Sequence, residues 1–160
     1  MSLAYVALGS NLQHPATQVT SAFNALDGLP ECKLLLSSSL YKTPPLGYEN
    51  QPDFINAVAM LETTLTPLEL LKKLLVIETA QGRERTFPNA PRVLDLDLLL
   101  YDDLVMNTPT LTLPHPRLHE RGFVLFPLAE IAPDLLIPKL GSVADLLVAC
   151  QDENIEKLSA

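Results

Sequence analysis

Apolar and polar positions follow two periods along this chain, and each change of period marks an element boundary. The apolar run Leu3-Ala4-Tyr5-Val6-Ala7-Leu8 predicts a buried strand, stopped by the turn residues Gly9-Ser10-Asn11. From Pro15 to Leu26 the apolar residues Val19, Ala22, Phe23 and Leu26 recur at i, i+3, i+4 and i+7. That is one face of an amphipathic helix, with Gly28 as its stop and Pro30 beyond. Lys33 to Tyr41 reads as a second strand. Between Thr43 and Pro52, Pro44, Pro45, Gly47 and Pro52 leave no room for regular structure and predict a rigid loop.

Phe54 to Thr63 alternates, with Ile55, Ala57, Ala59 and Leu61 on one face and Phe54, Asn56, Val58 and Met60 on the other. Thr66-Pro67-Leu68-Glu69 is a helix start: Thr at the N-cap, Pro at the first helical position and Glu closing a capping box. Leu71, Leu74, Leu75 and Glu78 are expected to share the inner face of that helix, which ends near Gly82. Val93 to Tyr101 is strand-like, Asp102-Asp103 a hairpin turn and Leu104-Val105-Met106 the return, with a short strand over Thr110 to Leu113. Leu118 to Ile131 has a helical pattern in which Pro127 demands a kink or a late start. Ser142-x-x-Asp145 caps a last helix, and a polar tail from about 151 is expected to fray. Strand, helix, strand, strand, helix, strand is the order of a ferredoxin-like α+β unit. Here it carries an added hairpin and C-terminal helices, around an antiparallel-rich sheet covered by helices.

At 160 residues the chain suits one domain, 1–160, large enough to bury a core without disulfides. Apolar residues make up 48% and charged residues 19%, which excludes a disordered or fibrous chain. The net charge of −8 argues against non-specific nucleic-acid binding. Cys32 and Cys150 lie far apart with no CxxC spacing and read as reduced thiols. No run approaches the roughly 20 apolar residues of a membrane span, and Met1-Ser2 enters the first strand with no basic leader. The expectation is a soluble cytoplasmic protein.

The charges are not scattered. All five arginines, Arg83, Arg85, Arg92, Arg117 and Arg121, fall in one quarter of the chain. Between them lies Arg92-Val93-Leu94-Asp95-Leu96-Asp97-Leu98-Leu99-Leu100. In a strand, Asp95 and Asp97 share one face, their Cα atoms roughly 6.6 Å apart, and Leu94, Leu96, Leu98 and Leu100 share the other. Two like charges so close need positive charge beside them. Oxygen ligands at that spacing suit Mg²⁺ bridging phosphates, and a wet strand face carrying acids is the plainer alternative. Arg forks and His115 can grip phosphate oxygens, and six glycines leave no phosphate-binding glycine loop to do so. For any one arginine alone, surface solubility is the simpler reading, and for His115 a hydrogen-bonded loop histidine; the clustering shifts the balance. Glu78 calls for a cation, with Arg83 or Arg85 as candidates. Phe54, Asn56 and Phe123 could form an aromatic slot with an amide for a flat polar heterocycle, or be ordinary packing.

Taken together, the motifs resemble the 6-hydroxymethyl-7,8-dihydropterin pyrophosphokinase family over nearly the whole chain. They are Tyr41-x-Thr43-Pro44-Pro45, Gln51-Pro52-Asp53-Phe54-x-Asn56, Glu78-x-x-x-Gly82-Arg83-x-Arg85, Arg92-x-x-Asp95-Leu96-Asp97, and Pro114-His115-Pro116 through Arg121-x-Phe123. The resemblance implies transfer of the β,γ-pyrophosphoryl group of ATP to the pterin hydroxymethyl, releasing AMP, in folate biosynthesis. It implies that Asp95 and Asp97 hold two Mg²⁺ ions and that Arg83, Arg92, Arg85, His115 and Arg121 neutralise and position phosphates. By the same likeness Glu78, Leu98, Leu111 and Thr112 lie near the nucleotide. Thr43, Pro44, Leu46, Phe54, Asn56 and Phe123 form the pterin pocket. The expected partners are ATP and a pterin, with no nucleic acid, no membrane and a monomeric chain.

The segment Thr86-Phe87-Pro88-Asn89-Ala90-Pro91 is shorter than the family's loop and lacks an extra Arg and a Trp. Phe54 replaces a frequent Tyr, and Leu75 stands at an often polar position near the adenine. Weaker loop closure is the expectation. Two other classes fit the residues less well: a Mg²⁺-dependent phosphoryl- or nucleotidyl-transferase with another acceptor, and a non-catalytic binding module.

Overall fold

A computed structural model of the chain describes residues 1–11, 14–44, 53–81, 94–150 and 155–158. Its principal elements are β1 (Ser2–Ser10), α1 (Pro15–Asp27), β2 (Cys32–Ser37), β3 (Tyr41–Thr43), β4 (Phe54–Thr63), α2 (Pro67–Ala80) and β5 (Asp95–Tyr101). Two short strands, β6 (Met106–Asn107) and β7 (Thr112–Leu113), lead to a 3₁₀ turn at Leu118–Glu120 and α3 (Gly122–Ile131). A second short ladder of β8 (Leu136–Ile137) and β9 (Gly141–Ser142), then α4 (Val143–Ala149) and β10 (Glu156–Lys157), complete the order.

The sheet is antiparallel. Its core order, β2-β4-β1-β5, is that of the ferredoxin-like unit, and β3 followed by β10 extends it beside the first half of β4. Because side chains alternate, the two faces build separate cores. Val6, Leu8, Ala57, Ala59 and Leu61 pack under α1 and α2. Tyr5, Ala7, Val58 and Leu99 pack under α3 and α4. The face assignment made for β4 therefore holds.

Local signals explain most boundaries. The capping box closes as expected: Glu69 N–H donates to Thr66 Oγ1 at 3.2 Å and Thr66 N–H to Glu69 Oε1 at 2.9 Å. Ser142 Oγ accepts from Asp145 N–H at 3.1 Å and starts α4. Gly28 follows α1, whose buried stripe is Val19, Ala22 and Leu26.

Elsewhere the structure departs from the sequence pattern. Strand β1 does not stop at Gly9 but runs through Ser10, because it is central and pairs on both edges, Gly9 with Asn56 and with Asp95. The expected strand over 33–41 is two. Ser38 breaks it, yet stays tied to β4 through its N–H to Val58 O and its Oγ from Val58 N–H, both 2.9 Å. The inner stripe of α2 is Leu70, Leu74, Ile77 and Glu78; Leu71 packs against the core only partly buried, and Leu75 is exposed. In β5 the register against β1 slips between Leu98 and Leu100, making Leu99 a β-bulge. Leu100 therefore joins Leu99 on the α3 face, whereas the strict alternation placed it with Leu98.

The turn after β5 exists, with Asp102 in the left-handed region at φ 49°. Its return strand pairs with β7 rather than with β5. Asp102 is held instead by β1, its Oδ1 accepting from Leu3 N–H at 2.8 Å. Helix α3 starts late, at Gly122, and still contains Pro127. The tail does not simply fray: Glu156 and Lys157 pair with Lys42 and Tyr41, and Leu158 N–H donates to Leu40 O at 2.8 Å. Residues 151–154 lie outside the described residues.

Candidate active site

At the end of β1 where Gly9 pairs with Asn56 and Asp95, the sheet opens into a cleft of about 710 Å³. Its floor is small, Ala7, Gly9 and Ala57, so that larger neighbours can project over it. A Cβ on Gly9 would sit 3.0 Å from Asn56 Oδ1, so the position needs glycine for close approach.

One end of the cleft is uncharged. Thr43 and Pro44 end β3, Phe54 and Asn56 begin β4, and Phe123 comes from the first turn of α3. Asn56 is 5% exposed and its Nδ2 donates to Thr43 Oγ1 at 2.9 Å. With one amide hydrogen so used and the amide oxygen facing Gly9, the side chain is fixed before any ligand arrives.

The other end carries the charges. Asp95 and Asp97, alternate residues of β5, both line the cleft and both remain partly exposed. Arg121, at the start of α3, brings Nη1 to 3.8 Å from Asp97 Oδ2 and sets its guanidinium carbon 5.6 Å from the Phe123 ring centre. It thereby spans the boundary between the two ends. His115 is anchored by its backbone, N–H to Leu99 O at 2.9 Å, and its Nδ1 accepts from Arg117 N–H at 3.2 Å. Burial first, then the charges of Arg121 and Arg117, push its pKa down to about 4 against the pull of Asp95. At neutral pH it is an uncharged Nε2–H donor. As an uncharged imidazole, His115 can offer a phosphate oxygen a hydrogen bond.

Leu71, Leu75 and Glu78 of α2 close the far side across the edge of β5. Glu78 is 2% exposed, and its Oε2 accepts from Leu96 N–H at 2.7 Å. That hydrogen bond satisfies an edge-strand donor and accounts for an acid on an inner helical stripe. The arginines proposed as its partners lie outside the described residues.

The fold thus brings together Thr43, Pro44, Phe54, Asn56, Glu78, Asp95, Asp97, His115, Arg121 and Phe123 around one cleft. It does not bring Leu98, Leu111 or Thr112 to the cleft walls: Leu98 and Leu111 belong to the core under α1 and α2, and Thr112 is half-buried in β7. Leu46, Arg83, Arg85 and Arg92, the 86–91 segment and most of the 43–52 loop lie outside the described residues. Arg117, expected only as one member of the arginine cluster, also lines the cleft. Gly9 could have been found, being a glycine inside what proves to be a central strand.

Among the described residues no group of three or more His, Cys, Asp or Glu side chains is placed to hold a metal ion. Two carboxylates on one strand face, open to a cleft, still suit Mg²⁺, which keeps several waters and completes its shell with phosphate oxygens. No helix among the described residues is long and apolar enough to cross a membrane.

Comparison with known proteins converges on one family. The sequence model of the 7,8-dihydro-6-hydroxymethylpterin-pyrophosphokinase (HPPK) family matches residues 5–133. The 2-amino-4-hydroxy-6-hydroxymethyldihydropteridine pyrophosphokinase of Pseudomonas aeruginosa is 48% identical over 154 residues, 96% of this chain and 95% of its own. The Haemophilus influenzae protein of the same name is 45% identical over 159 residues, 99% of each chain. Among solved structures, a Plasmodium falciparum HPPK-DHPS chain superposes with a TM-score of 0.81 at 16% identity. The superposition covers 99% of this chain and 48% of that one, so this chain spans about half its length and shares its fold.

Proposed function

This chain belongs to the 7,8-dihydro-6-hydroxymethylpterin-pyrophosphokinase family, and we propose on that premise how its cleft performs the family's reaction. It is an enzyme, a pyrophosphokinase of folate biosynthesis that transfers a pyrophosphoryl group to 6-hydroxymethyl-7,8-dihydropterin. ATP is the proposed donor, giving AMP and the pterin diphosphate. One observation supports the division of labour within the cleft. Phe54, Phe123 and a pre-bonded amide line one end, and paired acids with an arginine the other.

In this reading Phe54 and Phe123 take the two faces of the pterin, and Asn56, Thr43, Pro44 and Leu46 read its polar edge. Arg121 and Arg117, with Arg83, Arg85 and Arg92, take up charge on the triphosphate, and His115 donates Nε2–H to a phosphate oxygen. Glu78, which lines the cleft, would lie toward the nucleoside. The pterin hydroxyl attacks Pβ in line and gives its proton to solvent, the bond from Pβ to the bridging oxygen of Pα breaks, and AMP leaves with the electron pair. Two carboxylates on one strand face fit Mg²⁺: Asp95 and Asp97 would hold two ions, which would screen phosphate charge and make the attacking hydroxyl more acidic. No side-chain base is then needed. We read residues 1–160 as one such domain, a cytoplasmic monomer that engages neither nucleic acid nor membrane.

The test is a reaction of ATP, Mg²⁺ and the hydroxymethyl dihydropterin followed by chromatography. AMP and a pterin diphosphate are expected. ADP, or pyrophosphate with a nucleotidylated product, would assign a different transfer, and binding of both ligands without turnover would leave a binding module.

A further inference from the structure

Tyr41 opens the motif that runs into the pocket wall, yet nothing in the reaction above uses its phenol. The side chain is 5% exposed, and a buried hydroxyl needs an acceptor. It finds one 89 residues away: Tyr41 O–H donates to Glu130 Oε1 at 2.7 Å. The same carboxylate takes the Ser39 N–H, at 3.1 Å from both oxygens, and the Ser39 hydroxyl at 3.0 Å from Oε2. Lys157 of β10, opposite Tyr41 in the ladder, adds an attractive charge and covers the outer edge of β3. Three donors from one short stretch therefore converge on a single carboxylate of a different element.

That element is α3. Glu130 sits in its last turn and Phe123 in its first, seven residues and roughly 10 Å apart along the axis. Tyr41 begins β3, and two residues later β3 presents Thr43, the hydrogen-bond partner of Asn56. One end of the helix thus grips the strand that forms one wall of the pocket, and the other end carries the opposing ring.

We propose that Glu130 is a positioning residue for the pterin pocket, its carboxylate clamping Ser39 and Tyr41 so that α3 holds Phe123 at a fixed distance from the β3–β4 wall. The proposal rests on the reading of Thr43, Asn56 and Phe123 as pterin residues.

The experiment measures two affinities in Glu130→Ala, Glu130→Gln, Tyr41→Phe and, as a control, Asn56→Ala. One is for a non-hydrolysable ATP analogue, the other for the pterin at saturating analogue. Glu130→Ala is expected to weaken pterin binding roughly tenfold, the scale of one lost charge-assisted hydrogen bond, with analogue affinity within about twofold. Glu130→Gln keeps an acceptor for the phenol and should recover most of the loss. Tyr41→Phe should weaken pterin binding about threefold and add little when combined with Glu130→Ala. An equal fall in both affinities, a Gln variant no better than Ala, or unchanged pterin binding would each overturn the clamp. If Glu130→Ala shows no cooperative melt, Tyr41→Phe decides by the same split. Weakened pterin binding in Asn56→Ala alone sinks the clamp and spares the pocket; intact pterin binding in Asn56→Ala sinks both.

Discussion

The two ends of the cleft solve opposite problems. At the neutral end the polar atoms already bind one another: Asn56 to Thr43, and behind them Tyr41 and Ser39 to Glu130. Such a wall is rigid beforehand and loses little entropy when a flat ligand enters. At the charged end two carboxylates point the same way from one strand, and Arg121 meets one of them at 3.8 Å with both partners partly exposed. That geometry is a weak ion pair in water and a strong site for a cation with phosphates. Shape is built in at one end; at the other the protein supplies fixed charges and the ligand completes the arrangement. Arg121, packed on Phe123 and paired to Asp97, is the one described side chain seen to touch both kinds of wall.

The difference can be broken most severely from the charged side. Asp97→Ala should lower turnover by at least about 10²- to 10³-fold, the scale of losing a preorganised electrostatic partner, while thermal unfolding stays cooperative. Near-normal activity in Mg²⁺ would remove that carboxylate from the mechanism. Phe123→Ala should cost pterin affinity roughly ten- to a hundredfold, the range for a lost stacking partner, and nucleotide affinity far less; calorimetry with each ligand separates the two. Equal losses would merge the two ends into one site.

A subtler probe is pH. With the His115 pKa depressed to about 4 from an ordinary 6.5, its contribution to stability is complete above pH 6.5 and disappears as pH falls through 4. Its imidazole NMR signals, in metal-free protein, should therefore show no inflection between pH 6 and 8. A midpoint above 6 would restore it as a charged phosphate ligand. The smallest effect should come from Thr66→Ala, remote from either end. Losing that cap costs about 1 kcal/mol, a few degrees in Tm, and should leave both ligand affinities unchanged.

How much of this could be read from the chain depended on the range of the interaction. The Thr66–Glu69 box and the Ser142 cap are three-residue events, and the sequence placed them correctly. The pairing of Asp95 with Asp97 on one face followed from strand period alone, and their position beside Phe54, Asn56 and Phe123 from the resemblance. What escaped was set by packing. Which residues of α2 turn inward depends on how the helix rests on the sheet, so Leu70 and Ile77 are buried, Leu71 only partly so, and Leu75 is exposed. The partnership of Tyr41 with Glu130 spans 89 residues and has no local signature. The C-terminal strand escaped because Glu156 and Lys157 have poor strand propensity and pair only with an edge that β3 happens to offer.

One extra residue in β5 has a reach beyond its own neighbourhood. Leu99 is the bulged position, and its carbonyl receives the backbone of His115. The length of the strand, and not only its lettering, thus bears on the site. Removing Leu99 would leave Leu100 and Tyr101 opposite Tyr5 and Ala4 in a regular ladder, without the bulge. It would also take away the peg from which the imidazole-bearing loop hangs. Leu99→Met, which keeps the bulge and its carbonyl, should leave the His115 anchor in place, whereas deletion of Leu99 should loosen it, a contrast that NMR of the imidazole would expose.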